Sequence, residues 1–215
     1  MSRRRFMGEK SFSLVGLIDY YKFNSTTRDE VTGTINSASV SYSAGKIGNA
    51  AYFGSYSPLK FARNSGTFNN FTVSLWVKLD SGSFPGQYRG IFLSRASDET
   101  KLYGLCIEDK TLIVNDNGIR RYTTTLPTGN WIMITLVIKG GNGTIYINGV
   151  EKSTFSFSTF YVQSATYIGC DYLPVTTSQN NRGLRGYLDE MSVWSRALSA
   201  SEISELYNNG NGLEL

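Results

Sequence analysis

The adjacent acids Asp189 and Glu190 are the side chains best placed to do chemistry in this 215-residue chain. In the surrounding run GYLDEMSVW, the apolar residues Leu188, Met191 and Val193 do not keep one parity. A strand buries every second residue. The slip at Asp189-Glu190 therefore predicts a bulge that redirects both carboxylates. A carboxylate turned inward needs a partner, because an unpaired buried charge is costly. Backbone amides with Arg or Lys side chains are one set of partners. The polar loop Asn24–Ser39 also offers the oxygen-bearing side chains Asn24, Asp29 and Glu30.

Much other chemistry is excluded by what the chain lacks. It has no histidine, so imidazole is absent as base, as metal ligand and as a member of a nucleophilic triad. Cys106 and Cys170 are too few for a usual zinc site. Each lies in an apolar run and reads as a buried free thiol rather than half of a disulfide. A retaining glycosidase needs two carboxylates about 5–5.5 Å apart. The strand pattern E-x-D-x-x-E that supplies them does not occur, and Glu202 and Glu205 fall on a C-terminal helix. The expectation is a protein that is not an enzyme.

Recognition residues are the alternative to catalytic ones. In FTVSLWVKLD, Phe71, Val73, Leu75, Val77 and Leu79 share one parity, while Thr72, Ser74, Trp76, Lys78 and Asp80 share the wetter one. An indole on an open face could stack on the C–H face of a sugar, which makes Trp76 the expected ligand residue, with Trp131 and Trp194 as alternatives. Against this stands ordinary packing beneath a covering loop. Tyr88 and Arg89, on a Gly-flanked stretch, are expected to rim the binding edge. The net charge is +4, and Arg3, Arg4 and Arg5 concentrate part of it in one run. They suit an arm that docks on an acidic particle surface or stays solvated. Without a further dense basic cluster, a specific nucleic-acid partner is not expected.

The elements that position these residues are strands. Aromatics (14 Tyr, 12 Phe) favour pleated surfaces and 22 Gly serve tight turns, whereas Pro is scarce. Residues 1–13 read as a basic arm and residues 14–215 as one domain, long enough to bury roughly 70% of its unfolded surface. Strands are predicted over residues 14–23, 49–53, 58–62, 71–80, 90–94, 102–108, 111–115, 119–124, 131–138, 144–147, 150–155, 166–169 and 186–194. The nearly unbroken apolar run 131–138 reads as a central strand buried on both sides. Asn148-Gly149 predicts a type I′ hairpin. Ser199 and Glu202 form a capping box that opens a short helix with Ile203 and Leu206 on one face. Gly210 is expected to end it.

Several of these segments are similar to one known family. FTVSLWVKL (Phe71 to Leu79), GNWIMITLVI (Gly129 to Ile138), GTIYINGV (Gly143 to Val150), YIGC (Tyr167 to Cys170) and AAYFGSYSPLKF (Ala50 to Phe61) each resemble a strand of laminin-G-like domains. LRGYLDEMSVWSRALSASEISELYNNG (Leu184 to Gly210) resembles their closing signature and is the most specific piece. The resemblance spans about residues 14 to 211; Ile132 stands where many relatives carry histidine. It implies an all-β jelly-roll sandwich of two antiparallel sheets, concanavalin A-like, with concave and convex faces and one short C-terminal helix. It also implies structural or recognition roles, commonly toward sugars or proteins. Relatives often hold a structural calcium near the closing motif. By that resemblance, Ca2+ would be bound by Asp189 with Asn24 or Asp29, calcium being a cation that takes six to eight oxygens.

Two functional expectations follow. One is a virion-associated protein, a capsid decoration or fibre of a bacterial virus, docked through Arg3, Arg4 and Arg5 and able to touch host glycans. Its motive is that Glu9, Lys10 and Asp19 interrupt any apolar export signal. The other is a carbohydrate- or protein-binding lectin module on a cell surface or in a secreted polysaccharide-processing system. Neither includes a membrane-spanning segment.

Overall fold

The computed structural model describes residues 12–36, 38–54, 58–61, 66–82, 88–95, 102–163, 165–171 and 182–215. Arg3, Arg4 and Arg5 lie outside the described residues. In chain order the first strands are β1 (Leu17–Tyr21), β2 (Ser41–Ala44), β3 (Asn49–Phe53), β4 (Leu59–Lys60), β5 (Gly66–Phe68), β6 (Asn70–Leu79), β7 (Tyr88–Arg95) and β8 (Leu102–Glu108). They are followed by β9 (Thr111–Asp116), β10 (Ile119–Thr125), β11 (Ile132–Lys139), β12 (Asn142–Ile147), β13 (Val150–Ser156), β14 (Phe160–Val162), β15 (Ala165–Ile168) and β16 (Gly186–Trp194). The helix α1 (Ala200–Tyr207) comes last.

The strands form two major antiparallel sheets. One has eight strands, ordered β13-β12-β11-β6-β16-β3-β2, with β1 also pairing β16. The other has six, ordered β10-β9-β8-β7-β15-β4, and β5 pairs β14 separately. Alternation explains the layering. Val73, Leu75 and Val77 of β6, Ile134 and Leu136 of β11, and Tyr103, Leu105 and Leu112 of the six-stranded sheet meet in one core. Phe71 and Phe160 stack at its end, their centroids 4.4 Å apart. As the apolar run predicts, β11 is central: it pairs β6 on one side and β12 on the other, with Ile132 to Ile138 buried.

The bulge predicted at Asp189-Glu190 is present. Against β6, Asp189 pairs Trp76 but the next pair is Ser192 with Ser74. Glu190 takes a left-handed φ of 47°. The first half of β16 borders β3 and the second half borders β1. The bulge thus falls where the strand exchanges neighbours. It lets Leu188 before it and Met191 and Val193 after it all face the core.

The helix closes the outer face of the eight-stranded sheet. Ser199 Oγ accepts the Glu202 amide and Glu202 Oε2 accepts the Ser199 amide at 2.8 Å, so the capping box forms as expected. Arg196 grips the same carboxylate at 2.5 and 3.0 Å and pulls its pKa down to about 2. Ile203 and Leu206 bury against Trp76, Met133, Tyr146 and Trp194. The left-handed cap is Asn208 (φ 48°) rather than Gly210, which ends a further 3-10 turn. An asparagine tolerates that conformation. Phe12, assigned to the arm by its sequence, lies edge-on to Trp194 at 5.7 Å. The Asn148-Gly149 hairpin has positive φ at both residues, as a type I′ turn requires. No helix among the described residues is long and apolar enough to cross a membrane.

Candidate functional site

The wetter face of β6 is not uniformly wet. Thr72, Ser74 and Trp76 are buried under the helix and C-terminal tail, and only Lys78 and Asp80 beyond them are half open. Trp76 is 3% exposed and stacks on Tyr207 at 5.7 Å, with Lys46 Nζ 4.7 Å from its ring centre. It is covered, which corrects the expectation of a free sugar-stacking surface there. Trp194 is wholly buried. Strand parity places Trp76 on the outer face as expected, but the amphipathic helix claims that half of the sheet.

On the uncovered half, neighbouring strands align four side chains in one row. Tyr52 of β3 pairs with Tyr187 of β16, and Tyr187 pairs with Lys78 of β6. Ile132 pairs with Val77, which puts Trp131, immediately before β11, opposite Lys78. All four are half-buried. Tyr52 and Tyr187 meet at 4.8 Å, and Tyr187 and Trp131 at 6.3 Å edge to face. Lys78 Nζ lies 4.6 Å from the Tyr187 ring centre and 5.1 Å from that of Trp131. At the far end Tyr52 donates its hydroxyl to Asp80 Oδ2 at 2.7 Å; burial and that carboxylate push the phenol pKa up to about 12. Three strand spacings make the row about 14 Å long. Sequence reading named Trp131 only as an alternative. Tyr52 and Tyr187 each oppose core-facing neighbours in their strands, but their alignment depends on pairing between distant segments.

Tyr88 and Arg89 do not rim one edge. They belong to β7 and not to a loop. Tyr88 accepts two bonds from Arg120, at 2.8 and 3.1 Å, and Arg120 also pairs with Glu108 at 2.7 Å. Arg89 is 4% exposed and donates to the Gly183 carbonyl at 3.0 Å. Its neighbour is on the surface while it serves as an internal brace.

Asp189 and Glu190 are both buried. Asp189 Oδ2 accepts the amides of Lys46 and Ile47 at 2.7 and 3.0 Å, and Oδ1 accepts the amide of Glu190 at 3.0 Å. Burial nevertheless drives its pKa up to about 7 against those three donors. Glu190 accepts the Tyr20 hydroxyl. Burial first, then the charges of Asp189 and Glu214, raise it to about 8. Its Oε1 has no hydrogen-bond partner among the described residues and borders a small cavity of about 10 Å³ with Ser74, Ser192 and Leu215. Leu215 donates its amide to Tyr20, and Glu214 pairs with Lys22, so the tail straps this cavity shut.

With fold and site described, the chain can be compared with known proteins. The family description that matches residues 53–204 is the concanavalin A-like lectin/glucanases superfamily. The chain belongs to that superfamily. A curated relative, human pappalysin-1, is 23% identical in a 159-residue alignment that covers 65% of this chain but only 10% of that protein. Among solved structures, domain 4 of an extracellular arabinanase from Geobacillus stearothermophilus, in complex with arabinotriose, superposes with a TM-score of 0.64. It is 21% identical, over 88% of this chain and 97% of that one. The binding domain of Paraclostridial Mosquitocidal Protein 1 gives 0.67 at 17% identity over 91% and 52% of the two chains. A Trypanosoma rangeli sialidase mutant gives 0.66 at 16%, over 94% and 35%. At these identities the superpositions establish a shared fold.

The calcium implied by likeness to the concanavalin A-like family does not fit the donors found here. Asn24 Oδ1 accepts the Asn49 amide at 2.6 Å, so Asn24 and Asp189 hold the same Gly45–Asn49 turn through N–H groups. Asp29 accepts the amides of Tyr20, Val31 and Thr32 at 2.9 to 3.2 Å. A cation would face N–H dipoles of the wrong sign in place of the oxygens it requires. Among the described residues no three acidic or thiol side chains cluster as a metal site. Cys106 and Cys170 are buried thiols outside any disulfide among the described residues, and burial raises the Cys106 thiol well above its usual range.

Proposed function

We propose that this chain is a non-catalytic carbohydrate-recognition domain that binds an oligosaccharide along the Tyr52–Tyr187–Lys78–Trp131 row. The observation that carries the reading is that these three aromatic rings remain half open on a face otherwise sealed by a helix. Aromatic faces and edges suit the apolar C–H surfaces of sugars, and Asp80 beside them accepts hydroxyl donors. Membership in a lectin-containing superfamily supports it, as does the arabinotriose held by the arabinanase domain of the same fold. Absence of catalysis is supported by the lack of histidine and by the enclosure of Asp189 and Glu190.

Titration with arabinotriose and a panel of neutral oligosaccharides, read by tryptophan fluorescence, tests the reading. Trp131→Ala is expected to weaken binding about tenfold or more in a chain that keeps its β-sheet circular dichroism, and chromatography of the mixture should detect no cleavage. Unaltered affinity in Trp131→Ala, or turnover, counts against it. The finer reading, attachment to a virus particle, rests on the Arg3-Arg4-Arg5 run. It requires the triple alanine variant to lose co-sedimentation with assembled particles.

A further inference from the structure

We infer that Lys78 makes the row selective for acidic sugars, its ammonium receiving the carboxylate of a uronic or sialic acid residue; this rests on the row being a glycan platform. Several partly buried cations have carboxylate partners: Lys22 has Glu214, Arg95 and Arg182 share Asp171, Arg121 has Asp116, and Arg196 has Glu202, whereas Lys46 lies over the covered Trp76 ring. Lys78 has none among the described residues; its ammonium is held only by the Tyr187 and Trp131 rings. Those rings restrain a side chain that would otherwise lose rotamer freedom on binding, and they leave its three N–H donors without an acceptor. An incoming anion therefore meets a positioned, unneutralised charge.

The row also has a direction. Asp80 lies two residues along the strand from Lys78, about 7 Å away, and holds the Tyr52 hydroxyl. Its charge repels a carboxylate at the Tyr52 end and favours sugar hydroxyls there. The acidic residue of a ligand is thus placed between Tyr187 and Trp131, with neutral sugar extending toward Tyr52.

Calorimetric titration of the intact chain with trigalacturonate and with its fully methyl-esterified form tests this, with 3′-sialyllactose and lactose as a second pair. The acid forms are expected to bind about tenfold tighter than their neutral partners, a difference that shrinks with added salt, as one charge-assisted hydrogen bond implies. Lys78→Gln should erase the difference and keep weak neutral binding; Lys139→Gln, on the exposed end of β11, should change neither. Equal affinity for acid and neutral forms, both reduced by Trp131→Ala, overturns the acid selectivity and leaves the platform standing. Binding of no probe, or binding indifferent to both Trp131→Ala and Lys78→Gln, overturns selectivity and platform together.

Discussion

Asp189 and Glu190 tie local backbone strain to a pH dependence of the whole fold. Both acids are raised, to about 7 and about 8, from ordinary values of 3.8 and 4.5. Between those values the folded chain retains protons that the unfolded chain has released. Their contribution to stability is fully present below the unfolded values and is lost as pH rises through 7 and 8. Neighbouring acids titrate as a pair, so the protons leave in two steps that belong to the pair and not to either residue. Glu202 acts in the opposite sense. Lowered to about 2 mainly by Arg196, it contributes above its ordinary 4.5, and the contribution fades as pH falls toward 2. Melting temperature should therefore peak near pH 4 to 4.5, fall as pH rises toward 7 and 8, and level off above that. Glu190→Gln should flatten the alkaline limb in calorimetric scans. A melting temperature that climbs steadily from pH 5 to 8 contradicts this account of the buried pair.

The phase break that marks these acids was legible because a one-residue slip in apolar parity has one simple structural cause. Their partners were not. Asp189 is satisfied by amides 142 and 143 residues away in sequence, and no local pattern encodes that distance. The same limit explains Trp76: parity gives its face, but only packing of the C-terminal segment decides whether that face is open. Tyr88 and Arg89 failed as a pair because adjacent residues on a strand project to opposite sides.

At the scale of elements, α1 decides which part of the outer face is available. Its capping box was readable from Ser199 and Glu202, since both partners lie within one turn. Ile203 and Leu206 were readable as its apolar face. The short strands β2, β5 and β14 escaped because three or four residues carry too little alternation to stand out from a loop. The strand expected at residues 58–62 shrinks to Leu59–Lys60. Truncating Ile203 to Ala removes methyl groups from the contact with Trp76, Met133 and Trp194. A loss of about 2–5 kcal/mol in urea-unfolding stability is expected. Trp76 should also become more solvated, shifting tryptophan emission to the red. An unchanged midpoint with unshifted emission would mean that the helix does not seal this face.

As a whole molecule, the domain is two sheets around an apolar core, with its helix fastened to one outer face by polar and apolar contacts alike. Thr72 accepts the Leu198 amide at 3.0 Å and donates to the Arg196 carbonyl at 2.8 Å. This attachment divides the eight-stranded sheet into a sealed half, which contains Trp76 and Trp194, and an open half, which contains the aromatic row. Recognition on the open half needs no moving part, because every member of the row stands on or beside a paired strand. Rigid placement of aromatic contacts keeps the ordering cost of binding low.

A crystal structure of the domain with a bound acidic oligosaccharide tests the central claim most directly. The account expects sugar density over Tyr187 and Trp131 on the outer face of the eight-stranded sheet, with a carboxylate within hydrogen-bonding reach of Lys78 Nζ. Density confined to the outer face of the six-stranded sheet, with Trp131 and Lys78 untouched, would contradict it.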